Sequence, residues 1–280
     1  MSPHQLLAGY DRTDEAADAL ALGCLLAERL DRELVVARVV TNGGHPKVTD
    51  RDRERMVRDA MAETRAALLA ALPEAPAVEL TPILDPSVAR GLHDLARAEG
   101  AEALVVGASH HHRLGRLLLG SGPELVVDGA PCPVFVAPPG FRDHAGLAPE
   151  VIGVAYDGSD GAHAALRYAA ALADRLGDPL RVVTVQPPWY DRPAGARHDV
   201  GAADARARSI VEDVTGGRVE LDLAARHGRP VDELLAETRG NVGVLVLGSH
   251  GRGPVRRMVL GSVSAAVLRA SSCPVAVAAG

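Results

Sequence analysis

The chain has 280 residues, room for one large domain or two of about 140 residues each. Hydrophobic residues make up 47% and aromatics only 2%, so Ala, Val and Leu must do the packing, which suits parallel strands covered by helices. A net charge of −6 with no dominant basic face excludes a broad nucleic-acid footprint, and no apolar run approaches the roughly 20 residues that span a bilayer.

The chain opens without a charged region, apolar stretch and cleavage site in sequence, so no export signal is read. Residues 5–40 run from a short apolar stretch through Tyr10-Asp11, a polar turn and an alanine-rich helix to a Val-rich stretch. Residues 151–186 repeat that order around Tyr156-Asp157, at an offset of 146 residues. Further on, residues 101–110 match 242–250, and 131–139 match 273–280, both at an offset of 141. A shared order of this length points to duplication. We therefore expect copy one over residues 1–140 and copy two over residues 150–280, with Pro138–Glu150 as the linker.

Within each copy the hydrophobic period alternates. Val182–Val185 and Val244–Leu247 are unbroken apolar runs, as expected of strands buried on both faces. Ala162–Leu176 and Ala202–Val214 carry helical spacing. Strand and helix in alternation predict right-handed βαβ units and an open parallel sheet of about five strands per copy. The last strands, Val134–Ala137 and Val275–Ala278, are short, and their unpaired edges predict that the copies pair through them as an intramolecular pseudo-dimer.

Copy two carries a loop with Gly248, Gly251 and Gly261 ahead of Ser262, Val263 and Ser264 at the start of an alanine-rich helix, Ser262–Ala270. Glycines admit a ligand to the backbone, and a helix start offers free N–H groups and a positive dipole end to phosphate oxygens. The hydroxyls of Ser262 and Ser264 can cap the helix or donate to phosphate, and Arg252, Arg256 and Arg257 add positive charge. No GxxxxGK(S/T) and no GxGxxG after the first strand is present, so neither a P-loop nor a dinucleotide fingerprint is read. Asp157, after the first strand of copy two, suits either a hydrogen bond to base or sugar or the capping of the next helix.

This pattern, Gly248-x2-Gly251-x9-Gly261-Ser262 with Asp157 after the first strand, resembles the nucleotide motif of the universal stress proteins, in a tandem-domain member. The resemblance covers nearly the whole chain. It implies an α/β fold of two Rossmann-like domains (adenine nucleotide alpha hydrolase-like), each a five-stranded parallel sheet of order 3-2-1-4-5 flanked by helices. It also implies ATP as ligand, with or without Mg²⁺. By position, Ala155, Tyr156, Asp157 and Val185 would border the adenine. Leu247, Gly248, His250, Gly251, Gly261, Ser262, Val263 and Ser264 would hold ribose and phosphates.

Copy one keeps Asp11, Gly107, Gly120 and Ser121 but has His110 at the second glycine and Gly122-Pro123 in place of Val263-Ser264, which removes a hydroxyl and an N–H. Its loop is read as degenerate. The run His110-His111-His112 lacks a Cys or paired carboxylate to complete a metal set and is read as a solvated loop. Cys24, Cys132 and Cys273 form no CxxC pair and are expected to be reduced thiols in a cytoplasmic protein. The charged segment Asp50–Arg65 is read as a solvated helix face. The sequence thus points to an ATP-binding stress-response or regulatory protein, bound neither to nucleic acid nor to membrane, whose nucleotide occupancy sets conformation or partner choice. A slow ATPase and an interaction module with a vestigial site are the alternatives, and a homodimer of chains is left open.

Overall fold

The structure, a computed structural model, describes residues 5–41, 49–71, 78–108, 123–144, 150–188, 200–249 and 260–278. The chain divides into two compact units, Met1–Ala145 and Gly146–Gly280. The first contains β1 (Gln5–Gly9), α1 (Asp14–Leu30), β2 (Glu33–Val40), α2 (Asp50–Ala71), β3 (Glu79–Leu84), α3 (Val88–Glu99), β4 (Ala103–Gly107), α4 (Pro123–Val127) and β5 (Val134–Ala137). β1 pairs in parallel with β2 and β4, β2 with β3, and β4 with β5, which gives the order 3-2-1-4-5.

The second unit repeats the plan with β6 (Ile152–Ala155), α5 (Asp160–Leu176), β7 (Leu180–Gln186), α6 (Val200–Thr215), β8 (Leu221–His227), α7 (Pro230–Glu237), β9 (Val244–Gly248), α8 (Ser262–Ala270) and β10 (Val275–Ala278). β6 lies between β7 and β9, with β8 outside β7 and β10 outside β9, all parallel. Each unit is therefore an α/β Rossmann-like domain. Right-handed crossovers put helices on both faces, and the strand order reverses beside the first strand, where ligand crevices open in such sheets.

Local sequence explains the elements. The central strands are apolar on both faces: Leu6, Leu7 and Ala8 in β1, and Leu245 and Val246 in β9, are at most 1% exposed. β3 lies at the edge, mixes exposed with half-buried positions, and accommodates Pro82, which has no N–H to donate. α1 and α5 start at equivalent caps. Thr13 Oγ1 accepts the Ala16 N–H at 3.1 Å and Ser159 Oγ accepts that of Ala162 at 3.2 Å, each cap contributing about 1 kcal/mol. Both helices end on a left-handed residue, Asp31 (φ 53°) and Gly177 (φ 72°), at the same place in the repeat.

The second domain holds a buried ion cluster. The Glu237 side chain is 1% exposed and accepts hydrogen bonds from Arg181 Nε at 2.9 Å and Arg226 Nε at 2.7 Å, while Arg181 also pairs with Asp222. Burial alone would push the Glu237 carboxyl up; the two guanidinium groups outweigh it and hold the carboxyl below its ordinary value of 4.5.

The stretch read as a linker is fastened for part of its length. Phe141–Asp143 forms a 3-10 turn with Phe141 buried. Asp18 of α1, only 2% exposed, accepts the N–H of Gly140 at 2.8 Å on one carboxylate oxygen and that of Arg142 at 3.1 Å on the other. The Arg142 guanidinium reaches the carboxylate of Asp14 at 2.8 Å. A buried carboxylate needs such donors, and the chain leaving β5 supplies them. The equivalent of Asp18 in the second domain is Ala164.

Candidate functional site

At the carboxyl ends of β6, β7 and β9 lies a cavity of about 290 Å³. Ala155, Tyr156, Asp157, Val185, Leu247 and Gly248 border it from the strand ends, and Gly261, Ser262, Val263 and Ser264 border it from the start of α8. Ten of the twelve residues singled out in the sequence are thus neighbours around one space. The other two, His250 and Gly251, lie outside the described residues, as do Arg252, Arg256 and Arg257.

Gly261 is the N-cap of α8, with φ −70° and ψ 160°, and among the described residues no side chain caps the helix. Ser262, expected as a cap, is instead the first helical residue and is exposed. Four N–H groups at a helix start have no intrahelical partner, and here they border the cavity with the positive end of the dipole. Ser264 is committed elsewhere: it is 8% exposed and its hydroxyl donates to the Gly248 carbonyl at 3.2 Å, tying α8 to the end of β9.

Asp157 does not itself cap α5. One carboxylate oxygen accepts the Ser159 N–H at 2.9 Å, which shapes the turn that presents Ser159 as the cap. The other oxygen has no partner among the described residues. Asp11 behaves in the same way toward Thr13 in the first domain, with 3.1 Å to the N–H and 2.6 Å to the hydroxyl. Tyr156 is 2% exposed, and its ring lies 5.6 Å from that of His163 on α5 at an interplanar angle of 57°. Burial pushes its phenol above the ordinary 10.0.

Other lining residues carried no sequence signal of their own. Gly161 in the first turn of α5, and Pro230 and Leu234 at the start of α7, complete the wall with Val183. Gly248, expected to admit ligand, also has a packing reason to be glycine. A Cβ built there would fall 2.5 Å from the carbonyl oxygen of Gly161, and one on Gly161 would fall 2.4 Å from that of Ser249. In the repeat, Gly161 stands where the first domain has Glu15, a difference that the reading of motifs passed over.

The first domain holds a cavity of about 200 Å³ at the equivalent strand ends, bordered by Tyr10, Asp11, Ala37, Val39, Leu92 and Gly107 among others. Gly120, Ser121 and the three histidines lie outside the described residues. Among the described residues of both domains no group of three His, Cys, Asp or Glu side chains is placed to hold a metal ion. No helix among them is long and apolar enough to cross a membrane.

The universal stress protein family model matches twice, over residues 3–138 and 149–279. The chain belongs to the universal stress protein family. A universal stress protein of Mycolicibacterium smegmatis is 29% identical over 97% of this chain and 96% of its own. One from Mycobacterium tuberculosis is 34% identical over 64% of this chain and 62% of its own. Among solved structures, a universal stress protein of Archaeoglobus fulgidus matches 99% of this chain and 96% of its own with a TM-score of 0.68 at 23% identity. The fold is therefore that of a tandem universal stress protein.

Proposed function

We propose that this universal stress protein binds ATP in its second domain and that nucleotide occupancy sets its conformation or its choice of partner. The observation that carries the reading is the start of α8, without a side-chain cap among the described residues, at a cavity that apolar side chains also line. Val183, Val185, Leu234 and Leu247 suit a planar base, the unpartnered oxygen of Asp157 suits a donor on base or ribose, and the N–H groups after Gly261 suit phosphate oxygens. Freshly purified chain, denatured and chromatographed, is expected to release adenine nucleotide at about one per chain. Release of none, together with no heat on titrating ATP, would exclude the reading.

A further inference from the structure

We infer that Ser249 and Ser264 are positioning residues of the second-domain site: their hydroxyls hold the start of α8 against the ends of β9 and β10 and so aim its leading N–H groups, and neither hydroxyl is a ligand. The inference deepens the reading of this cavity as a nucleotide site and rests on it. β9 ends at Gly248, and three elements hold that end. Ser264, the third residue of α8, donates its hydroxyl to the Gly248 carbonyl at 3.2 Å. Ser249, 1% exposed, donates its hydroxyl at 2.9 Å to the carbonyl of Ala278, the last residue of β10. On the α5 side, Gly248 approaches the Gly161 backbone so closely that a Cβ at 248 would lie 2.5 Å from the Gly161 carbonyl oxygen.

The first domain shows what the serines add. There the matching ladder ends on backbone alone: the Ala108 N–H donates to the Ala137 carbonyl at 2.9 Å. Ala137 and Ala278 hold the same place, each paired with the glycine that ends the neighbouring strand. A side-chain donor in the second domain thus reaches a carbonyl that the first domain satisfies with main chain. Such a donor ties β9 to β10 and still lets the chain at Ser249 turn out of the sheet beside the cavity, which Ser249 borders. Pro123 stands where Ser264 stands and has no hydroxyl. Each serine has one O–H to donate, and in the structure both donate to main-chain carbonyl oxygens. What they supply to the site is a fixed geometry. A hydrogen bond weakens steeply as its angle falls toward about 120°, so a helix start that rocks loses its hold on an anion. One held in place beforehand binds without the cost of ordering it.

Two measurements on the full chain test this: amide exchange of β9 and β10 without ligand, and calorimetry with ATP well below the melting temperature. Ser249→Ala and Ser264→Ala should each speed exchange at the ends of these strands. Each should also weaken ATP by about tenfold, the size of one lost hydrogen bond. Faster exchange with unweakened ATP would mean that the hydroxyls only hold the fold together, and would overturn the inference. Weakened ATP with unchanged exchange would make the hydroxyl a ligand, and would overturn it equally. Should one variant fail to fold, the other decides alone. Wild-type chain that binds no ATP would overturn the nucleotide reading and this inference with it, whereas wild-type binding that both variants retain in full overturns the inference alone.

Discussion

Gly161 and Gly248 meet backbone to backbone: a Cβ on Gly248 would lie 2.5 Å from the Gly161 carbonyl oxygen and 2.6 Å from its carbon. Backbone cannot rotate aside as a flexible side chain can. Gly248→Ala is therefore expected to push α5 off the end of β9 and destabilise the second domain by about 2–3 kcal/mol. Thermal melting of the variant without ligand checks it. A melting temperature equal to wild type would show that the close approach relaxes freely.

Gly261 differs from Gly248 in kind. Its φ of −70° is open to any residue, so Gly261→Val introduces no backbone strain, and it adds a branched side chain to a residue that borders the cavity at the start of α8. Hydrogen bonds to a charged partner contribute about 1.5–3 kcal/mol each. Losing two weakens ATP roughly a hundredfold or more. Calorimetry should show that loss while melting stays close to wild type, and unweakened binding would place the phosphate site elsewhere.

Glu237 predicts the acid behaviour of the second domain. Its folded carboxyl titrates below the ordinary 4.5, so the stability it contributes is present above that value and is lost as pH falls through the folded value. Acid denaturation followed by hydrogen exchange should show the second domain weakening below about pH 4.5. Glu237→Gln leaves Arg181 and Arg226 without their shared carboxylate and should cost about 2–4 kcal/mol near neutral pH, with a flatter pH dependence below it.

Cys132 and Cys273 are 7% and 5% exposed, and burial pushes both thiols up to about 11. Near neutral pH they are thiols rather than thiolates, and the thiolate is the nucleophile. A thiol reagent added to native protein should leave both unlabelled, half-buried Cys24 reacting ahead of them. A reducing agent should leave the melting temperature unchanged. Rapid native labelling of Cys273 would contradict the packing described for β10.

Sequence reading reached the parts of the fold that are written locally. β5, β10 and α8 fall on the residues expected for them, because short apolar runs beside prolines and a glycine-serine helix start are contiguous signals. The cavity residues at the strand ends and on α8 were named through the resemblance to the universal stress proteins, carried over position by position. Pro230, Leu234 and Gly161 were not, since each reaches the cavity through packing between elements far apart in the chain. Ser264 shows the converse. Its type and place suggested phosphate, and in the structure its hydroxyl donates to the carbonyl of Gly248, 16 residues earlier. The fastening of residues 140–143 was hidden too, because Pro, Gly and charge look alike in a free linker and in a tight turn held by a distant carboxylate.

That fastening has an evolutionary consequence. Asp18 grips main-chain N–H groups, so it recognises the path of the chain and is blind to most of the side chains on it. Position 142 is free to drift: losing its guanidinium removes the pairing with Asp14 and leaves the N–H in the grip of Asp18. Position 140 has no such latitude, because its φ of 73° strains any residue with a Cβ. Across relatives that keep this turn, glycine at 140 and a carboxylate at 18 should come and go together, while the second copy, with alanine at the matching position, carries no record of the pair.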